Sequence, residues 1–257
     1  MQHLRQLIGR RPVREQEHTF VVEGTKALSE ALDAGAHLHA VFAAPTAPTD
    51  VLERAMARGA VVHHTEPGVI ERVAPTVSPQ PLLAVAEQID VPLDDLSGAS
   101  LLLVAVDVSD PGNLGTVLRS AEAAGADGVV CCGSSVDVYN PKTVRAAAGA
   151  MFHLPLAIAG DTLGVLDRVG GWGMLRLGAV ARGGTHHTDI DLRRRVALVI
   201  GNEAAGLPPA VLEAMDELVT IPMAGRAESL NVGVAAAVLC FEVARQRTAK
   251  EVPSGGS

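Results

Sequence analysis

The sequence is short of aromatics, cysteine and lysine, and each shortage narrows what the chain can be. Six of its 257 residues are aromatic, although 48% are hydrophobic. Ala, Val and Leu must fill the interior, which favours helices packed on a buried parallel sheet over an aromatic-rich β-sandwich. The three cysteines, Cys131, Cys132 and Cys240, form neither a disulfide framework nor a zinc spacing, and read as small core residues. No apolar run reaches membrane-spanning length without polar breaks. The N-terminus, MQHLRQLIGRRPVREQ, is basic and lacks the apolar stretch of a signal peptide. A cytoplasmic location away from membranes is expected. Phosphate loops are missing as well. No G-x-G-x-x-G follows the apolar run at 101–108, and no G-x-x-x-x-G-K-S/T occurs anywhere, which disfavours a Rossmann dinucleotide site and a P-loop.

Three of the 21 basic residues are lysine, and the net charge is −8, a balance that argues mildly against nucleic acid. Distribution matters more than the sum. Arg5, Arg10, Arg11 and Arg14 fall in the first fourteen residues with no acid among them. Arg193, Arg194 and Arg195 form a second cluster, and Arg245, Arg247 and Lys250 a third. Arginine suits planar contacts to phosphates and bases.

Residues 19–88 read as a small α/β unit: strands at TFVVEG, HAVFAA, VVHHT and LLAVAEQ, with helices at TKALSEALDAG and from Thr49 to Arg58. The polar stretch QIDVPLDDLSGAS fits a linker, which places one domain at 1–95 and a second at 98–257. The second opens on the buried-strand run LLLVAVDV and alternates strands with helices to a last helix at about Asn231–Arg247. Alternation throughout this unit predicts a parallel sheet covered on both faces. The tail VPSGGS is expected to be disordered.

In such sheets, function sits in loops at the carboxyl ends of strands. Three stand out: D-P-G-N-L-G-T-V-L-R-S-A at 110–121, L-V-I-G-N-E-A-A-G-L at 198–207 and I-P-M-A-G-R-A-E-S-L-N-V at 221–232. In this order, each after a strand and before a helix, they resemble the SpoU (TrmH) family of RNA ribose methyltransferases of the SPOUT superfamily. The match covers about residues 100–247, and FVVEGTKALSEALDAG resembles, more loosely, the substrate-binding domain of many members. One departure is Val232–Gly233, where the family usually has Val–Ser.

The resemblance implies an α/β fold: a parallel-sheet SPOUT domain with a deep trefoil knot, behind a small N-terminal α/β RNA-binding domain. It implies methyl transfer from S-adenosyl-L-methionine to a ribose 2′-hydroxyl by a homodimer; the separate N-terminal domain favours rRNA as the substrate, with tRNA the alternative. Arg119, Asn113, Glu203, Ser229 and Asn231 become the catalytic candidates, and Gly201, Asn202, Ile221, Met223 and Leu230 the cofactor candidates. Arg10, Arg11 and Arg14 are expected to contact RNA. Guanidinium barely deprotonates, so Arg119 reads as an electrostatic stabiliser of the developing alkoxide, oriented by Glu203. Ser229 and Asn231 are also plausible N-caps. A sulfonium donor is already activated, so no metal is expected, and His186, His187, Asp189 and Asp191 read as a solvated loop. Two other classes stay open: a SpoU-like RNA-binding protein that no longer methylates, and an unrelated nucleotide-binding α/β enzyme.

Overall fold

In the computed structural model, which describes residues 1–74, 76 and 78–248, the strands form two sheets. The first unit runs α1 (Gln2–Gly9), α2 (Arg11–Glu17), β1 (Thr19–Glu23), α3 (Thr25–Asp33), β2 (Leu38–Ala43), α4 (Thr49–Ala57), β3 (Val61–His64) and β4 (Leu82–Glu87). Its sheet has the order β1-β4-β2-β3. β4 pairs antiparallel with both β1 and β2, and β2 pairs parallel with β3. The last strand returns through a long excursion instead of a crossover helix, and inserts antiparallel between its neighbours. Helices α1 and α2 were also not anticipated.

A 3-10 turn at Leu93–Leu96 leads into the second unit: β5 (Leu101–Val106), α5 (Pro111–Ala123), β6 (Gly128–Cys132), α6 (Pro141–Ala147), a 3-10 turn at Ala150–Phe152, β7 (Leu156–Ala159), α7 (Thr162–Gly171), β8 (Leu175–Ala179), β9 (Thr185–His186), β10 (Val196–Ile200), α8 (Pro209–Glu213), β11 (Glu217–Thr220) and α9 (Val232–Thr248). The seven strands are ordered β7-β6-β5-β10-β8-β11-β9, and every pair is parallel. β5 and β10 lie at the centre and are buried on both faces. Leu101, Leu103 and Ala105 meet one set of helices through Leu114, Val117, Val144 and Ala236. Leu102, Val104 and Val106 meet Val165, Leu166, Val169 and Val211 on the other face. Short apolar runs of this kind, covered on both sides, are what a parallel sheet requires. Lys250 and the VPSGGS tail lie outside the described residues.

The two sheets share one continuous apolar core, which takes in Phe20, Val22 and Leu82 with Leu101, Tyr139 and Met151. The Phe20 ring lies 4.7 Å from that of Tyr139 and 6.2 Å from that of Phe152. The Tyr139 hydroxyl accepts from the backbone N–H groups of Ile89 and Asp90, both at 2.9 Å, and donates to the Asp90 carboxylate. The expected linker is thus pinned at its start. Arg14 completes the junction. It is 3% exposed, its guanidinium pairs with Asp137 of the second unit, and it also donates to the carbonyls of Leu7 and Ile8.

This burial corrects the expectation that Arg14 contacts RNA, because no face of its guanidinium is left for a phosphate. Arg10 and Arg11 are exposed, Arg11 beside Glu15 at 2.7 Å. Removing one partner of a buried ion pair strands the other, so Arg14→Ala is expected to destabilise the chain by about 3–5 kcal/mol. Arg10→Ala should stay within about 0.5 kcal/mol of wild type. Urea denaturation checks both, and near-equal stabilities would show that the pair is dispensable.

Candidate active site

A cavity of about 380 Å³ opens at the carboxyl ends of β8, β10 and β11, against the start of α9. Its wall is the Gly201–Leu207 loop, Ala179–Ala181 after β8, Ile221, Met223, Ser229 and Leu230, and Val232, Ala235 and Leu239 of α9. The size suits a small-molecule ligand, and the lining is mostly apolar with a few polar groups and much exposed backbone. All five expected cofactor residues, Gly201, Asn202, Ile221, Met223 and Leu230, line it, as do Glu203 and Ser229.

The sequence folds tightly here because Gly201 has no side chain. A Cβ at this position would lie 2.4 Å from the backbone carbon and oxygen of Gly206. That closeness lets Asn202 and Gly206 exchange two backbone hydrogen bonds, of 3.0 and 2.9 Å. The Asn202 side chain locks the turn from inside. Its oxygen accepts from the N–H groups of Ala204 and Ala205, and its nitrogen donates to the Asp107 carbonyl at 2.9 Å. Asp107 itself has φ 54, a left-handed conformation that Asp tolerates better than most residues.

Glu203 joins this loop to the next. One carboxylate oxygen accepts from Ser109 through its N–H at 3.2 Å and its hydroxyl at 2.9 Å. The other accepts from the Asp110 N–H at 3.0 Å and the Asn113 side chain at 2.9 Å. Asn113 in turn accepts from the Asn231 side chain at 2.7 Å. The Asn231 oxygen then accepts from Gly233 N at 2.9 Å and Val234 N at 3.3 Å, capping α9. Gly233, the departure from the family pattern, leaves this cap intact. A Cβ there would come within 2.8 Å of Thr116 on α5, so glycine lets the two helices approach.

Desolvation pushes the Glu203 carboxyl up, but the hydrogen bonds from Asn113, Asp110 and Ser109 outweigh it and bring the pKa down to about 2. Glu203 is therefore a permanently ionised acceptor, too weak a base to take a proton near neutrality. Because its folded pKa lies below the ordinary 4.5, its stabilisation is present above that value and lost as pH falls through about 2. Asp110 caps α5 by accepting from Asn113 N at 2.9 Å and pairs with Lys142 at 3.2 Å. That backbone hydrogen bond, followed by Lys142, holds its carboxyl below the ordinary range.

Glu203, Asn113 and Asn231 are thus linked directly, and Ser229 shares the cavity wall with Glu203. Arg119 is not joined to them. It lies on α5, exposed, outside the cavity wall, and among the described residues it makes no hydrogen bond or ion pair. The expected orientation of Arg119 by Glu203 is corrected, since Ser109, Asp110 and Asn113 already occupy that carboxylate. Asn113 sits inside the first turn of α5, because Asp110 is the cap. Ser109, Asp110 and Lys142 were not anticipated. Asp before Pro-Gly-Asn was a readable N-cap signal, whereas nothing in the sequence marked Ser109 or Lys142.

The family model described as the SpoU rRNA Methylase family matches residues 100–241, and that described as an MRM3-like substrate binding domain matches residues 1–84. The 23S rRNA (guanosine(2553)-2′-O)-methyltransferase RlmP of Bacillus subtilis is 33% identical over 90% of this chain and 90% of its own length. An AdoMet-bound rRNA methyltransferase from Sinorhizobium meliloti superposes with a TM-score of 0.84 at 31% identity, covering 95% of this chain and 93% of that one. The SpoU methyltransferase AviRb from Streptomyces viridochromogenes, in complex with AdoMet, gives a TM-score of 0.85 at 30% identity, covering 96% of this chain and 97% of that one.

Proposed function

The chain belongs to the SpoU rRNA Methylase family, and from that premise we propose that it methylates a ribose 2′-hydroxyl of ribosomal RNA with S-adenosyl-L-methionine. The observation that carries the reading is the cavity walled by the Gly201–Leu207 loop and by Ile221, Met223 and Leu230. Its apolar lining and the backbone cradle that a Cβ at Gly201 would fill fit an adenosine-bearing cofactor. The bound cofactor supplies a methyl group already activated on a sulfonium.

The chain's own residues then have to position a hydroxyl and handle one proton. Asn113 gives one amide N–H to Glu203 and keeps a second for a ligand, and Asn231 is placed likewise. Glu203 fixes the Asn113 amide through a charge-assisted hydrogen bond, and Asn113 in turn holds Asn231. Ser229 is exposed at the cavity wall, where its hydroxyl can accept from or donate to the ribose. Arg119 offers an uncommitted cation that can stabilise the developing alkoxide, directly or through a neighbouring phosphate of the RNA. In-line placement of the two reactants supplies much of the rate.

In this reading residues 1–95 are the RNA-binding domain, and Arg10 and Arg11 contact phosphate. The trefoil knot lies in the segments that wall the cavity, and the enzyme works in the cytoplasm. Among the described residues, no helix is long and apolar enough to cross a membrane. The partner of α9 is a second copy of the chain. Val234 and Phe241, seven residues apart, are 46% and 51% exposed on this helix and so form an apolar stripe. Sedimentation should give about twice the 26.5 kDa monomer, and a monomer at micromolar concentration would contradict the dimer.

The test of the catalytic reading is Arg119→Ala. Methylation of rRNA is expected to fall on the order of 10²–10³-fold, with S-adenosylhomocysteine affinity within about twofold of wild type because Arg119 is outside the cavity wall. Arg119→Lys should restore part of the rate, since it keeps the charge and loses the planar fork. Full activity in the alanine variant would remove Arg119 from the mechanism.

A further inference from the structure

His37, His39 and Glu87 gather in the N-terminal sheet, away from the cavity on the second sheet. Each offers one ligand atom, and the three atoms lie within 4.8 Å of one another. His37 precedes β2, His39 is its second residue, and Glu87 ends β4. Glu87 N donates to the His37 carbonyl at 3.0 Å, so these two stand opposite each other across the ladder.

His39, two positions on from His37, shares its face of the strand beside a local irregularity. Leu38 pairs with Ala86 and Ala40 with Val85, so His39 is the extra residue of a bulge. Bulges re-aim side chains and recur beside functional sites. Leu38 is buried and both flanking histidines are exposed on the opposite face, with their rings 4.6 Å apart and edge to face. His37 Nδ1 already lies 3.3 Å from Glu87 Oε2. Tetrahedral zinc with ligands at about 2.0–2.2 Å sets its donor atoms about 3.3–3.5 Å apart, so this pair needs no movement. The His39 ring is exposed and free to close the remaining distance.

We propose that His37, His39 and Glu87 form a three-ligand site for a divalent transition metal of the zinc class. Two imidazoles and one carboxylate suit such an ion and not a hard cation, which prefers an all-oxygen set. Three protein ligands leave a fourth position open. His37 and Glu87 also border a second cavity, of about 360 Å³, with Gln88, Ile89 and Phe152 at the junction of the two sheets. The metal ties the start of β2 to the end of β4, where the chain leaves for the second domain. The site is separate from methyl transfer and does not depend on that assignment.

Calorimetric titration of Zn²⁺ into the full-length, chelator-treated protein tests it. One equivalent is expected to bind, and His37→Ala, His39→Ala and Glu87→Gln should each weaken that binding at least tenfold. The His37 and Glu87 side chains are 60% and 56% exposed, so these changes are compatible with folding. Titration of wild type with Co²⁺ gives an independent reading, since a tetrahedral site absorbs strongly in the visible and a hexahydrated ion does not. Absence of one-equivalent binding, or equal affinity in the variants, would overturn the site and assign any bound zinc to other histidines.

Discussion

The Glu203 carboxylate is the interaction on which the candidate site depends. It receives four hydrogen bonds from three residues after β5 and so fastens the loop after β10 to the start of α5. Asn113 passes the constraint to Asn231, which caps α9. Three loops that are remote in sequence are thereby held in one register. The cavity wall is built from two of them, so its shape follows from the clamp. A carboxylate with a pKa of about 2 keeps its charge throughout the physiological range, and charge-assisted hydrogen bonds are about twice as strong as neutral ones.

A division of labour follows. Groups that hold the architecture are saturated: Glu203 by its donors and Asn202 by both arms of its own turn. Other groups keep spare hydrogen-bonding capacity. Arg119 has no partner among the described residues, and the Asn113 and Asn231 amides each keep an N–H. The same logic separates the arginines at the N-terminus. Arg14 is consumed by Asp137 and two carbonyls, and binds the two sheets together instead of a ligand. Phe20, Tyr139 and Phe152 back this up with ring contacts in a shared core.

Much of the second unit was legible because its strands are short apolar runs and its helices carry local start signals. Asp110-Pro111 and Asn140-Pro141 both cap helices as their residue types suggest. The residues named for the cofactor lie on two loops whose order and spacing matched a family pattern, and they line one cavity. Partnerships across the chain were not legible. Arg14 and Asp137 are 123 positions apart, and nothing local distinguishes Arg14 from the exposed Arg10 and Arg11. Glu203 was expected to orient Arg119, but its donors are Ser109, Asp110 and Asn113, about ninety positions away, and two of the four hydrogen bonds come from backbone N–H groups that no residue type signals. The mixed first sheet escaped because alternation of strand and helix says nothing about where β4 inserts. The bulge at His39 breaks the two-residue period that would have been used to assign faces.

An ionised Glu203 that clamps the three loops leaves a pH signature in the stability of the chain. Urea denaturation of wild type and Glu203→Gln should be compared from neutrality down to pH 2. Wild type is expected to be the more stable at neutral pH. That advantage should shrink below about pH 4.5 and vanish as pH approaches about 2, because protonation removes the clamp. A variant as stable as wild type at pH 7, or a difference that does not change with pH, would contradict the account.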